Sequence, residues 1–335
     1  IWIVFPMQSK KLKILFLYPN LHMNTLVPNG IAILSAVLKN AGFKNIELFD
    51  PTFYASKQPS YDQERVSTGQ VQPFDFKDKN IDFKTTNMFE DFVLKVDKVK
   101  PDIIIASVLE DTFTLFEKFM SYIKDRKIPC LAGGTFPSSE PELVLKSDYV
   151  DYLCRGEGEG ALVDLCNAIE QGKDPSNIKN LWVKKNGEIV SRNKLRPALD
   201  VNTLPIQDLS IFEDVSLHRA MTGKIYRMAP VETQRGCPYA CRFCNSPEKN
   251  DFYGAQKAGR FFRKREIKHV HKELKYLIEK FRIEYIFFIT DTFLAMSEKE
   301  FDEFCEMYSE FKLPFYFNTR PETITTRRAK KLKQI

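Results

Sequence analysis

Three cysteines stand close together in the run CPYACRFC, residues 237 to 244: Cys237, Cys241 and Cys244, separated by three and then two residues. Deprotonated thiols are soft ligands that hold zinc or iron–sulfur clusters. The chain has seven cysteines, an odd total, and three of them fall within eight residues. That distribution argues for a metal centre rather than a disulfide framework.

A structural zinc site closes with four ligands, usually as two short-spaced pairs, and no second pair follows here. His269 and His271 lie about 25 residues on, and Cys305 is farther still. Each could supply a fourth ligand, but the spacing does not require it. A ferredoxin run keeps two-residue gaps and ends on a cysteine before proline; this run opens with a wider gap and lacks that ending. A 4Fe-4S cluster on three thiolates accounts for the count and leaves one iron open to a substrate or cofactor.

With the aromatic Phe243 directly before its last cysteine, the CxxxCxxC run resembles the radical S-adenosylmethionine superfamily. The resemblance implies a 4Fe-4S cluster on Cys237, Cys241 and Cys244, with S-adenosylmethionine chelating the open iron through its amino and carboxylate groups. VETQRG (231 to 236) fits the strand end and loop that carry the motif in that family. EIKHVHKELKYLIEKF (266 to 281) has helical spacing, with Ile267, Val270, Leu274, Leu277, Ile278 and Phe281 on one face. EYIFFITD (284 to 291) reads as a buried strand and PFYFNTR (314 to 320) as another. Between them SEKEFDEFCEMYSEF (297 to 311) reads as a helix with Ser297 as N-cap and Glu300 at its third position. In the family such parallel βα units build a partial barrel with its chemistry at the strands' C-terminal ends. By that rule Asp291, Asn318 and Arg320 join Phe243 as candidate cofactor contacts. Thr290 and Asp291 stand where the family often carries a Gly-Gly-Glu element for the methionine amino group.

The first half must position something else. KILFLYP (13 to 19) is a short β-leaning run, and GIAILSAVLKNAG (30 to 42) follows with helical spacing and a terminal glycine. The alternation continues through strands at NIELFD (45 to 50), DIIIASVL (102 to 109), IPCLAGG (128 to 134) and DYVDYLC (148 to 154). Helices are expected near 88 to 99, 112 to 126, 139 to 146 and 158 to 170. This predicts an α/β chain whose first part is a doubly wound parallel sheet with a ligand crevice at the strands' C-terminal ends. The polar stretch from about 55 to 86 reads as a surface insertion without regular structure.

Three predicted strand ends, NLHMNT (20 to 25), SVL (107 to 109) and GG (133 to 134), taken in this order resemble a cobalamin-binding domain. Its pattern is Asp-x-His-x-x-Gly, then Ser-x-Leu, then Gly-Gly. Ser107 and Leu109 match the second element, and Gly133 and Gly134 the third. In the first, His22 is in place, but Asn20 replaces the aspartate and Thr25 the glycine. Cys130, Cys154 and Cys166 fall on predicted strands and a helix, and read as buried small hydrophobes.

LWVKKNGEIV (181 to 190) carries a type I′ hairpin signal at Asn186-Gly187, and a proline-containing stretch follows. The expected organisation is a cobalamin-binding domain over 11–172, a linker with a hairpin over 173–225, and the first half of a radical SAM domain over 226–335. A length of 335 residues also suggests two domains. Both ends read as cut, since the chain starts at Ile1 and stops within the basic helical run RRAKKLKQI. The net charge of +6 comes from dispersed lysines and does not suggest nucleic-acid binding. No apolar run reaches the length of a membrane span, and the sequence reads as cytoplasmic.

The joint resemblance implies a cobalamin-dependent radical SAM enzyme acting on a small-molecule substrate, with an electron donor such as flavodoxin or ferredoxin. The favoured reaction is methylation of an unactivated carbon. Oxidative cyclisation or rearrangement is the alternative within the same branch. A methylthiotransferase would need a second cluster on three cysteines of the first domain, and a non-catalytic cobalamin- or zinc-binding regulatory module is the reading of a different class. The sequence names no catalytic acid, base or nucleophile.

Overall fold

IIIAS, from Ile103 to Ser107, is apolar at consecutive rather than alternating positions, as a strand covered on both faces must be. The computed structural model describes residues 10–23 and 27–335, so Thr25 of the predicted ligand loop lies outside the described residues. The chain divides into two compact units. The first takes residues up to Pro73, Asn80–Arg196 and Pro205–Ser216; the second takes Phe74–Lys79, Pro197–Leu204 and Leu217–Ile335.

The first unit runs β1 (Lys10–Leu17), α1 (Asn29–Asn40), β2 (Phe43–Phe49), α2 (Tyr61–Ser67), α3 (Met88–Val99), β3 (Ile103–Ser107), α4 (Phe113–Ser121), β4 (Cys130–Gly133), α5 (Thr135–Ser139), α6 (Pro141–Leu145), β5 (Tyr152–Cys154), α7 (Glu159–Glu170), β6 (Leu181–Lys185) and β7 (Glu188–Arg192). The sheet order is β2-β1-β3-β4-β5-β6-β7. The first five strands are parallel, and the reversal of order between β1 and β3 opens the crevice that such sheets use for ligands. Leu15, Ile104, Phe92 and Phe119 are among the residues of the core on one side. There the Phe49 ring meets Phe92 and Phe119 at centroid distances of 5.1 and 5.5 Å.

Three local differences from the sequence reading have physical causes. The stretch 55 to 86 holds the helix α2, opened by a capping box between Ser60 and Gln63. It is too short and too exposed to produce an apolar period. The helix expected near 139 to 146 breaks into α5 and α6 at Glu140 (φ −120°, ψ 56°), because a residue before proline disfavours the helical region. The hairpin β6–β7, read as part of the linker, pairs antiparallel with β5 and completes the first sheet. Its turn has Asn186 at φ 52° and Gly187 at φ 83°, the left-handed pair that a type I′ turn requires.

The second unit runs β8 (His218–Met221), β9 (Lys224–Val231), β10 (Gln234–Arg235), α8 (Ser246–Ala255), β11 (Arg263–Lys264), α9 (Ile267–Phe281), β12 (Tyr285–Phe288), α10 (Glu298–Tyr308), β13 (Phe315–Phe317) and α11 (Thr326–Leu332). Its main sheet has the order β13-β12-β9-β8, with β9, β12 and β13 parallel and β8 antiparallel. Phe288, Phe293, Phe304 and Tyr308 fill the space behind it; Phe288 stacks on Phe293 at 4.9 Å and meets Phe304 edge-on at 5.4 Å. The capping box expected at Ser297 and Glu300 is present. Among the described residues no helix is long and apolar enough to cross a membrane.

Candidate functional site

The parallel strands β9 and β12 direct their C-terminal ends to the same edge of the second sheet. Past Val231 the chain pairs β10 with β11 and turns at Gly236, whose φ is +80°. A Cβ there would come 2.8 Å from both the ring and the carbonyl oxygen of Phe261, so glycine is required for the chain to enter the cysteine loop at this angle.

Within the loop, each cysteine sulfur has a polar partner. Cys237 is buried, with its Sγ 3.4 Å from the Thr292 hydroxyl. Asn250 donates to the Cys237 and Ser246 carbonyls at 3.2 and 3.1 Å, tying the loop to α8. The N–H of Cys244 donates to the Cys241 carbonyl at 3.1 Å. The exposed Cys244 sulfur accepts from the Ser246 N–H at 3.5 Å. Cys241 is half-buried, and Nη1 of Arg320 reaches its sulfur at 3.1 Å. Phe243, between the last two cysteines in the chain, is 95% exposed.

Of the strand-end candidates, Asp291 is exposed, and its carboxylate accepts from the Ser246 hydroxyl at 3.3 Å. That bond joins the end of β12 to the cysteine loop. Thr290 beside it is 3% exposed, and its hydroxyl has no hydrogen-bond partner, a free polar group at the position where a cofactor contact was expected. Arg320 lies over the Tyr239 ring at 4.4 Å and pairs with Glu322. Asn318 is exposed; its side chain accepts from the Tyr316 hydroxyl at 2.8 Å, so the structure ties it to β13 rather than to the cysteines. Thr292, Ser246, Tyr239 and Glu322 carried no sequence signal.

The donor set suits a cluster better than a single ion. A zinc site closes with four ligands on one centre, and no second cysteine pair follows the run, whereas three thiolates on a cluster each hold a different iron. Two of the fourth-ligand candidates are otherwise engaged: His271 bonds Glu310 at 2.8 Å, and Cys305 is buried on α10. Three soft ligands with no closing fourth therefore fit a 4Fe-4S cluster with one open iron.

In the first unit, Ser107 and Gly133 are ladder partners at the ends of β3 and β4, and the Val108 N–H donates to the Gly133 carbonyl at 2.8 Å. Gly134 has φ +118°, and a Cβ on it would lie 2.6 Å from the Val108 oxygen. The half-buried Leu109 is fixed by Thr112, whose hydroxyl accepts from its N–H at 3.1 Å. Ser107, Leu109, Gly133 and Gly134 thus lie at the C-terminal ends of the neighbouring strands β3 and β4, where the two glycines leave the β4 end without side chains. On the β1 side, Nδ1 of His22 donates to the Tyr54 carbonyl at 2.8 Å, since a carbonyl can only accept. That leaves Nε2 with its lone pair, and burial pushes the imidazole below its usual value, partly offset by this bond. Asn20 is buried and donates to the Thr52 hydroxyl at 2.7 Å.

Cys130, Cys154 and Cys166 are all buried, as their sequence context indicated. Burial pushes the Cys154 and Cys166 thiols up to about 12.

A B12 binding domain model matches residues 23–166, and a radical SAM superfamily model matches residues 231–335. The uncharacterized methyltransferase PH0819 of Pyrococcus horikoshii is 27% identical over 254 residues, 73% of this chain and 52% of its own length. The anaerobic magnesium-protoporphyrin IX monomethyl ester cyclase of Rubrivivax gelatinosus is 26% identical over 236 residues, 68% of this chain and 40% of its own length. The chain therefore spans about half the length of the curated relatives it matches. Among solved structures, the radical S-adenosylmethionine methyltransferase TsrM from Kitasatospora setae, with cobalamin and a 4Fe-4S cluster bound, superposes with a TM-score of 0.65. It is 16% identical, and the match covers 98% of this chain and 59% of that one, a likeness of fold. The chain is thus a B12-binding domain followed by a domain of the radical SAM superfamily.

Proposed function

We propose that the protein is a cobalamin-dependent radical SAM enzyme that methylates an unactivated carbon of a small-molecule substrate. The observation that carries the proposal is the three-cysteine loop without a fourth ligand, set at the C-terminal ends of β9 and β12 in a chain that also carries a B12-binding domain. When bound, the cluster supplies the one-electron reduction that splits S-adenosylmethionine, and the corrinoid supplies a transferable methyl group.

The chain's own residues bind and orient. Cys237, Cys241 and Cys244 hold the cluster. Asp291, placed beside the loop by its bond to Ser246, offers an acceptor for the methionine ammonium. Phe243 offers a flat apolar face for the adenine, an assignment its exposure permits. Arg320 bonds the Cys241 sulfur, and Asn318 contributes through its backbone, which accepts from the Phe293 N–H at 2.9 Å. In the first unit Ser107, Leu109, Gly133 and Gly134 form the site for the corrinoid. Electrons come from a reduced flavodoxin or ferredoxin. A relative named as a cyclase keeps oxidative cyclisation as the second reading.

The test is anaerobic reconstitution with iron, sulfide and hydroxocobalamin, followed by iron and corrinoid quantification and an assay for 5′-deoxyadenosine under reduction. About four irons and one corrinoid per chain with cofactor cleavage support the enzyme. Stoichiometric zinc without iron supports a regulatory module. Iron without corrinoid means that the first unit serves another ligand.

A further inference from the structure

The three cysteine sulfurs are not equivalent. Cys244 receives a backbone N–H at 3.5 Å and Cys237 faces a neutral hydroxyl at 3.4 Å. Cys241 receives a guanidinium at 3.1 Å. Arg320 comes from the loop after β13, some eighty positions along the chain, and three contacts hold its side chain. Nη1 is on Cys241, the planar group lies over Tyr239, and Nη2 is paired with the Glu322 carboxylate. Tyr239 belongs to the same cysteine loop, so the guanidinium is clamped between the aromatic ring, the sulfur and a carboxylate.

We propose that Arg320 is a positioning residue that sets the reduction potential of the cluster through Cys241, with Glu322 as its counterweight. The inference rests on the proposed function, since it needs a cluster on these cysteines. Its physical basis is that hydrogen bonds to cluster sulfurs and local net charge govern iron–sulfur potentials, and that a charge-assisted bond is about twice as strong as a neutral one. Adding one electron makes the cluster and its thiolates more negative. A cation bonded to one thiolate stabilises that reduced state more than the oxidised one, and raises the potential. Glu322 withdraws part of that charge. The two residues therefore act in opposite directions on one observable.

The opposition distinguishes tuning from a structural role. Arg320→Met should lower the midpoint potential of the reconstituted cluster by about a tenfold change in the reduced-to-oxidised ratio at fixed poise, about 59 mV for one electron. Arg320→Lys, which keeps the charge but loses the planar fork, should fall between Arg320→Met and the parent. Glu322→Gln should raise the potential, because the guanidinium then faces Cys241 without its compensating carboxylate. A residue that merely held the loop together would give losses of cluster content, not shifts of opposite sign.

The experiment is a reductive titration of the anaerobically reconstituted protein with dithionite or titanium(III) citrate, followed by the electron paramagnetic resonance signal of the reduced cluster. A fall with Arg320→Met and a rise with Glu322→Gln support the inference. Potentials unchanged from a fully loaded parent, or shifts of the same sign in both variants, overturn it while leaving the proposed function standing. If Arg320→Met fails to retain its cluster, Glu322→Gln alone decides by its sign. A parent that assembles no cluster removes the proposed function, and this inference with it.

Discussion

A methyl group on Gly134 would sit 2.6 Å from the carbonyl oxygen of Val108. The two residues lie at the ends of neighbouring strands, β4 and β3, and their closeness leaves no room for a side chain at position 134. Gly134→Ala must both relieve that clash and hold a non-glycine residue at φ +118°, in a region that costs about 1–3 kcal/mol. The expected result is a stability loss of at least that size in denaturant unfolding, together with loss of corrinoid retention. Gly133→Ala is the matched control. Its Cβ would make only ordinary contacts, 3.8 Å from Cys154 and Leu131, and its unfolding midpoint should move little.

Gly236→Ala tests the entry to the cysteine loop. The added Cβ would press on Phe261 at 2.8 Å with φ held at +80°. Iron loading should fall at least several-fold, while corrinoid binding, which belongs to the other unit, should stay at the parent level. Equal loss of both would show that the substitution unfolds the chain rather than the loop.

Asp291→Ala removes the carboxylate that bonds Ser246 beside Cys244. A hydrogen bond to a charged group is worth about 1.5–3 kcal/mol, so binding of S-adenosylmethionine to the loaded protein should weaken about tenfold or more. Calorimetric titration measures this directly, and unchanged affinity would remove Asp291 from the site.

Thiol reactivity separates the two sets of cysteines. Burial pushes Cys154 and Cys166 up to about 12 and raises Cys130 as well. At pH 8 only about one in ten thousand of the first two is ionised, and the thiolate is the reactive form. Iodoacetamide on the cluster-free protein at that pH should label Cys244 and Cys241 and spare these three. The sign of the stability effect follows. Each raised thiol is neutral in the folded state, so its contribution is complete below the ordinary value of about 9 and is lost as pH rises toward 12. Cys166→Ala should flatten that alkaline decline relative to the parent.

The cysteine loop was legible because ligand spacing is local: CxxxCxxC sits in one turn and needs no tertiary information to read. The parallel sheet was legible for the same kind of reason, since runs such as Ile103–Ser107 are continuously apolar only where both faces are covered. What the sequence could not carry depends on register. Arg320 meets Cys241, and Tyr239 meets Arg320, only because β9, β12 and β13 are parallel. Glu322 was invisible for that reason, and Asn318, which shares the strand end with Arg320, turned instead to Tyr316. The hairpin of Asn186 and Gly187 was recognised from its turn residues, but which sheet edge it joins is a long-range choice made by β5. The need for glycine at 134 likewise comes from Val108 on the neighbouring strand.

The central claim is that the three cysteines hold a cluster with one iron left open. The most direct measurement is the electron paramagnetic resonance spectrum of the reduced, reconstituted protein with and without S-adenosylmethionine. An open iron predicts that the cofactor changes the cluster signal, and that Cys241→Ala abolishes both the signal and its response. A cluster signal indifferent to the cofactor, or a protein that binds zinc in place of iron, would contradict it.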